Sequence, residues 1–143
     1  MNLKGCVKNL RELKQVTPDD YRFLFDLLLE RTREQSISHR TMPPFLEHVS
    51  FWNNQPYKEA YIITEDSYAR GLIYLTERDE VGIFISKAYT QLGLGAFAFR
   101  ALKEKHPLKR FLANINPLNQ GSIDFFTRQG FVRIQNTYEL APF

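Results

Sequence analysis

The apolar residues of this chain switch between two spacings, and each switch marks a predicted element. Leu10 to Val16 reads as a first strand. Thr17-Pro18-Asp19-Asp20 then predicts a helix start: a capping hydroxyl, a proline suited to the first turn, and two acids near the positive end of the helix dipole. Tyr21, Leu24, Phe25, Leu28 and Leu29 continue that helix at i, i+3, i+4 spacing. Polar Arg31 to Thr41 reads as a loop. Met42-Pro43-Pro44 opens a short second helix on which Phe45, Val49 and Trp52 share a face.

Three strand-like runs follow, Ala60 to Thr64, Gly71 to Thr76 and Glu80 to Ser86, separated by the turns Asp66-Ser67 and Glu77-Arg78-Asp79. Such spacing predicts an antiparallel meander. Lys87 to Leu92 connects it to a helix that begins at Gly93-Leu94-Gly95 and ends near His106-Pro107. Arg110 to Ile115 predicts another strand, and Asn119 to Gln129 a last helix stopped by Gly130 as a left-handed cap. Phe131 to Leu140 predicts one or two closing strands. With no internal repeat or Gly/Ser linker, residues 1–143 read as one domain of the mixed α+β class.

Composition narrows the function classes. Nineteen Lys and Arg against 16 Asp and Glu leave a net charge of +3. That is too weak to argue for a nucleic-acid partner, but it suits a small polyanionic ligand. No apolar run is long enough to span a bilayer, and Met1 to Cys6 lacks a continuous secretory h-region, so no membrane partner is expected and a cytoplasmic location is the default. Cys6 is the only cysteine, which excludes an internal disulfide. His39, His48 and His106 lack metal-ligand spacing, so no metal is expected.

The most informative stretch runs from Val81 to Ala96: an apolar strand, a short loop, and two glycines at the mouth of a helix. Glycines there let a ligand approach the backbone, and the free N–H groups of a first helical turn point outward at an anion. The alternative is a plain tight connection. A Walker A loop is excluded because no Gly-Lys-Ser/Thr follows, and a dinucleotide fingerprint because the third glycine is absent.

Thr90-Gln91-Leu92-Gly93-Leu94-Gly95 resembles the Arg/Gln-x-x-Gly-x-Gly/Ala loop of the GNAT superfamily of acyl-CoA-dependent N-acyltransferases, with Thr90 in place of Arg or Gln. Asn119 to Phe131 is similar to the Asn-x-x-Ala/Ser…Phe-Tyr-x-x-x-Gly-Phe pattern of that family's last helix. The resemblance extends from Leu10 to Leu140. It implies a mostly antiparallel central sheet flanked by helices and splayed between the fourth and fifth strands. It also implies acetyl-CoA as co-substrate, N-acetyl transfer to a primary amine of a small molecule, and a monomer or homodimer.

The resemblance further implies where the chemistry sits. Main-chain N–H groups of Gln91, Leu92, Gly93, Leu94, Gly95 and Ala96 would hold the pyrophosphate. Phe84 and Ile85 would pair with the pantetheine arm. Asn116, Asn119 and Phe126 are further cofactor contacts, and helix capping by Asn119 is compatible with that role. Lys103, Lys105, Lys109 and Arg110 would assist at the 3′-phosphate or form a solvated basic face.

Glu80 stands where relatives carry a base; a surface Glu at a turn is the alternative. Glu47-His48, in a run like the Glu-His-x-x-Trp/Phe element of amino-sugar acetyltransferases, would place His48 on the acceptor side, or His48 is structural. His39 and Arg40 fall in the acceptor loop. The family tyrosine that protonates the leaving thiolate aligns with Phe126, so Tyr138, Tyr89 or Tyr74 would substitute. Arg31, Arg33 and Arg40 favour an acceptor that carries phosphate or carboxylate, such as a nucleotide-linked amino sugar. A protein α-amine or lysine as acceptor, and a non-catalytic acyl-CoA-binding module, remain as alternatives.

Overall fold

A computed structural model describes residues 9–31 and 42–142 of the chain. His39 and Arg40, together with Cys6 and Arg33, lie outside the described residues. The element order is β1 (Arg11–Gln15), α1 (Tyr21–Leu29), α2 (Phe45–Asn53), β2 (Glu59–Glu65), β3 (Tyr68–Leu75), β4 (Val81–Ile85), α3 (Leu94–Lys105) and α4 (Gln120–Arg128). Single 3-10 turns at Pro18–Asp20 and Lys87–Tyr89 precede α1 and follow β4.

The four strands form one antiparallel sheet in chain order, with Leu13 opposite Ile63, Ile62 opposite Leu72, and Ile73 opposite Ile83. Because successive strand residues face opposite ways, the sheet carries two cores. Ile62 and Leu72 pack under Leu24 and Leu27 of α1 and Trp52 of α2. Tyr61, Ile63, Ile73, Leu75 and Val81 pack on the other face against Leu94, Ala98, Phe99 and Leu102 of α3. Thus α1 and α2 cover one side and α3 the other.

Several expectations need correction. In α1 the buried residues are Leu24 and Leu27, while Leu29 is exposed. The Arg110–Ile115 strand reduces to one parallel bridge, Glu80 with Leu112. There Val81 N–H donates to the Leu112 carbonyl (2.7 Å) and Leu112 N–H to the Asp79 carbonyl (2.9 Å). Beyond Leu112 the backbone leaves the sheet, so no ladder forms. Phe131 to Leu140 forms no strand either, because nothing among the described residues pairs with it. Alternation marks a strand, but only a neighbouring backbone makes one.

Candidate active site

The 3-10 turn after β4 leads to Gln91 at φ 61° and Gly93 at φ 81°. Gly93 is the N-cap of α3, and its left-handed conformation is one that a side chain disfavours. The first helical bond closing on it runs from Phe97 N–H to the Gly93 carbonyl (3.1 Å). The N–H groups of Leu94, Gly95 and Ala96 precede that bond and have no partner within the helix. Leu94 anchors this turn in the core, while Leu92 and Ala96 are less covered. At Gly95 a Cβ would come within 3.0 Å of Phe125, so the glycine lets α4 close against the mouth of α3.

Both ends of the loop are clasped. Glu30, at the end of α1, accepts from Lys87 N–H (2.7 Å) and from Ser86 Oγ (3.0 Å). From β1, Arg11 donates through Nη2 to the Leu92 carbonyl (2.7 Å), and its Nη1 lies 3.5 Å from where a Cβ on Gly93 would stand. Glu65 holds that guanidinium through Nε at 3.0 Å. It also meets Arg70 at 4.0 Å, whose own guanidinium lies 3.8 Å over the Tyr89 ring. A charged ladder from β1 to β3 thus supports the underside of the turn that opens α3.

On β4 the pairing with β3 decides which backbone groups are free. Ser86 N–H donates to the Arg70 carbonyl and Thr76 N–H to the Glu80 carbonyl, so Gly82 and Phe84 also direct their main chain towards β3. Val81, Ile83 and Ile85 therefore direct theirs to the outer edge, as the Val81 bond to Leu112 confirms. The main chain of Phe84 is therefore taken up by β3, contrary to the expectation that it pairs with an inserted arm, and the outward groups belong to Ile83 and Ile85. Phe84 instead packs its ring in the α1/α2 core, under the Arg31 guanidinium at 5.4 Å.

Glu80 stands at the point where β4 and the Leu112 segment separate. Its carboxylate accepts from Thr76 Oγ1 at 3.0 Å and from Asn114 Nδ2. Each oxygen retains a further lone pair, so the group is positioned without being saturated. Two residues along, on the same face, Gly82 lies beneath Tyr74, and a Cβ there would overlap the Tyr74 ring and hydroxyl. Tyr74 in turn stacks on Tyr57 with centroids 3.9 Å apart. A phenol therefore lies across β4 at Gly82, two residues along from Glu80.

Other expected residues are placed elsewhere. His48 is buried among Phe25, Phe45 and Trp52. Burial lowers its pKa from the ordinary 6.5, against a smaller opposing effect of its bond to the Tyr21 backbone. The imidazole is thus a packing group rather than one open to solvent. Glu47 is exposed on α2. Tyr138 is 90% exposed, ten residues beyond the end of α4 at Arg128. Asn119 caps α4 by accepting from Ser122 N–H (3.1 Å), and Asn116 accepts from Leu118 N–H (2.9 Å). Phe126 is buried between Phe125 and Phe131. Lys103 and Lys105 lie in the last turn of α3, over the rings of Phe99 and Tyr61. That turn is the opposite end of α3 from Gly93, which separates these lysines from the anion-facing mouth.

An open β4 edge leading into a bare helical mouth is suited to an extended arm ending in a diphosphate. The model of the Acetyltransferase (GNAT) family matches residues 21–131, most of the chain. The chain belongs to the GNAT acetyltransferase family. It is an acyl-CoA-dependent N-acetyltransferase.

Solved structures share the GNAT fold. An acetyltransferase from Thermus thermophilus superposes with a TM-score of 0.73 at 18% identity, over 88% of this chain and 89% of that one. The dodecameric spermidine N-acetyltransferase from Vibrio cholerae gives 0.67 at 18%, over 87% and 81%. RimL, a ribosomal-protein α-N-acetyltransferase in complex with coenzyme A, gives 0.68 at 16%, over 85% and 80%. No curated protein gives a significant sequence match. Among the described residues no helix is long and apolar enough to cross a membrane, and no group of three or more His, Cys, Asp or Glu is placed to hold a metal ion.

Sequence reasoning missed Arg11, Glu30, Thr76 and Asn114 in this GNAT domain. Arg11 and Leu92 are 81 positions apart, and no local spacing reports such a contact. Thr76 was legible in principle, because a hydroxyl four residues before a candidate base can bond back across a turn.

Proposed function

We propose that this enzyme transfers an acetyl group from acetyl-CoA to a primary amine of a small molecule that carries an anionic group, such as a nucleotide-linked amino sugar. One observation carries the donor half. The N–H groups of Leu94 to Ala96, without partners in the helix, follow a loop that Glu30 and Arg11 clasp, and that loop follows the outward backbone of Ile83 and Ile85 along the chain. The N–H groups at the α3 mouth, with Gln91, Leu92 and Gly93, hold the diphosphate. Ile83 and Ile85 pair with the amide-bearing arm as a neighbouring strand would, and an outward N–H of β4 polarises the thioester carbonyl. Asn116 and Asn119 line the approach to α4 and contact the donor.

Glu80 is the base. Held by Thr76 and Asn114, it takes a proton from the incoming ammonium or amine through water. The amine nitrogen bonds to the carbonyl carbon, the C–S bond breaks, the sulfur leaves with the electron pair, and the second proton of the nitrogen passes to water or to the departing thiolate. A thiol pKa of about 8.5 makes departure as thiolate feasible without an acid at Phe126. Tyr74, across Gly82, forms the floor on which the acceptor sits. Arg31, over Phe84 on that same side, supports an acceptor bearing phosphate or carboxylate.

The test is thiol release with acetyl-CoA against a panel: nucleotide-linked amino sugars, spermidine, peptides with free α-amines, and lysine peptides. Turnover confined to the sugar nucleotides supports the reading. Turnover confined to peptides replaces it with protein acetylation. Calorimetric binding of acetyl-CoA with no turnover on any amine makes the domain a non-catalytic binding module.

A further inference from the structure

The open edge of β4 is closed at one end by the chain itself. Val81 N–H donates to the Leu112 carbonyl (2.7 Å) and Leu112 N–H to the Asp79 carbonyl (2.9 Å). With Val81 taken, the next N–H that points outward along the strand is that of Ile83. Two strand residues separate the two groups, about 6.6 Å. An atom in the gap also keeps about 3.5–4 Å from the Leu112 backbone. A group held at Ile83 N–H therefore has about 3 Å of length before the closed end, the span of about two carbon–carbon bonds.

The sides of that end are closed as well. On the α3 side Ile83 packs against the core, as does Phe111, whose ring meets Phe99 at 5.5 Å. On the α1/α2 side the Glu80 carboxylate accepts from Asn114 Nδ2, which joins β4 to the segment beyond Leu112. Next along that side is Gly82, opposite Tyr74 in the ladder. A Cβ on Gly82 would stand 2.0 Å from Tyr74 Cζ and 2.3 Å from its hydroxyl oxygen, so the far end of the phenol occupies the place of a β4 side chain. The ring is held there: it stacks on Tyr57 at 3.9 Å, and Tyr57 rests against Trp52 at 5.5 Å and Phe51 at 5.9 Å.

We propose, resting on the acetyl-transfer reading that brings the thioester carbonyl to an outward N–H of β4, that Tyr74 sets the length of the acyl group this enzyme accepts. It walls off the space above Gly82 that a chain longer than propionyl needs. At Ile83 the carbonyl leaves room for the methyl of acetyl and for one carbon more. A butyryl or longer chain runs into the Leu112 backbone unless it turns aside over Gly82, where the phenol lies. Selection of this kind resides in bulk rather than in the hydroxyl, because a hydrocarbon tail offers the phenol oxygen nothing to bond.

Calorimetry with coenzyme A, acetyl-CoA and hexanoyl-CoA tests it without an acceptor amine. The wild type should bind acetyl-CoA about as tightly as coenzyme A, and hexanoyl-CoA at least about tenfold more weakly, the order of an overpacked contact. Tyr74→Ala should bring hexanoyl-CoA to within about twofold of coenzyme A, and Tyr74→Phe should keep the wild-type ratio. Each protein's own affinity for coenzyme A is the reference, so a less stable variant reports the same ratio. Tyr74→Val, a better strand former, carries the test if the alanine variant does not fold. A wild type that takes hexanoyl-CoA as readily as acetyl-CoA overturns the inference, as does a Tyr74→Ala ratio that stays put or a Tyr74→Phe ratio that moves. A folded wild type with no affinity for any of the three overturns the donor-site reading, and the inference with it.

Discussion

Replacing Arg11 by Met separates the two things its guanidinium does. It removes the ion pair with Glu65 at 3.0 Å and the bond to the Leu92 carbonyl at 2.7 Å, and keeps most of the side-chain volume. The Leu92 carbonyl lies near the surface and can take up water. Most of the stability loss therefore comes from Glu65, which is largely buried. Hydrogen bonds to charged groups contribute about 1.5–3 kcal/mol, and Arg70 remains within 4.0 Å of Glu65, so the loss should be about 2 kcal/mol. For a domain of this size that lowers the melting temperature by about 6 °C.

The second effect is on the donor site. With only the Glu30 clasp left, the turn at Leu92 must be ordered on binding. Fixing one residue costs about 1 kcal/mol, which weakens coenzyme A binding about fivefold. The proposed base, Glu80, lies at the far end of β4, so the turnover rate at saturating donor should hold. Thermal melts, calorimetry with coenzyme A, and initial rates report the three quantities, and Arg11→Lys should fall between. A melting temperature that drops while affinity stays at wild type would refute the argument that this brace shapes the anion site.

Other outcomes follow from the same geometry. Glu80→Gln keeps the shape but removes the base; turnover should fall about a hundredfold while the KM for acetyl-CoA changes little. Burial disfavours the protonated form of His48 in the folded protein, and unfolding restores its ordinary pKa of 6.5. Its contribution to stability is therefore present above that pH and lost as pH falls through it. Denaturant midpoints should drop as the pH is lowered through that ordinary value, and His48→Phe should flatten that drop. Gly82→Ala drives a methyl into the Tyr74 ring and separates it from Tyr57. Kinetics should show the KM for the amine raised several-fold with donor affinity preserved; the reverse pattern would move Tyr74 off the acceptor side.

Local signals account for most of the elements. Thr17-Pro18 does open a helical turn, although the expected single helix is a 3-10 turn followed by α1. The meander appears with its turns at Asp66-Ser67 and Glu77-Arg78-Asp79, where Asp66 at φ 52°, Ser67 at 70° and Asp79 at 62° reverse the chain; Asp tolerates that conformation, and two bonds between Asp66 and Leu10 help to hold the first turn. The helix mouth at Gly93 was legible for the same reason, since the glycine sits where φ is positive. In α2 the same spacing that marked Phe45, Val49 and Trp52 also put His48 on the inner face, and tertiary burial made it part of the core.

What sequence by itself determined, then, was everything written in near neighbours: the periods, the turns, the glycine mouth, and the family that these imply. Tertiary structure alone decided which backbone groups of β4 point outward, because that parity is set by pairing with β3. It also decided that Arg11 and Glu30, from elements far along the chain, hold the loop between β4 and α3. And it left 131–142 unpaired, since a ladder needs a second backbone whose position no local pattern encodes.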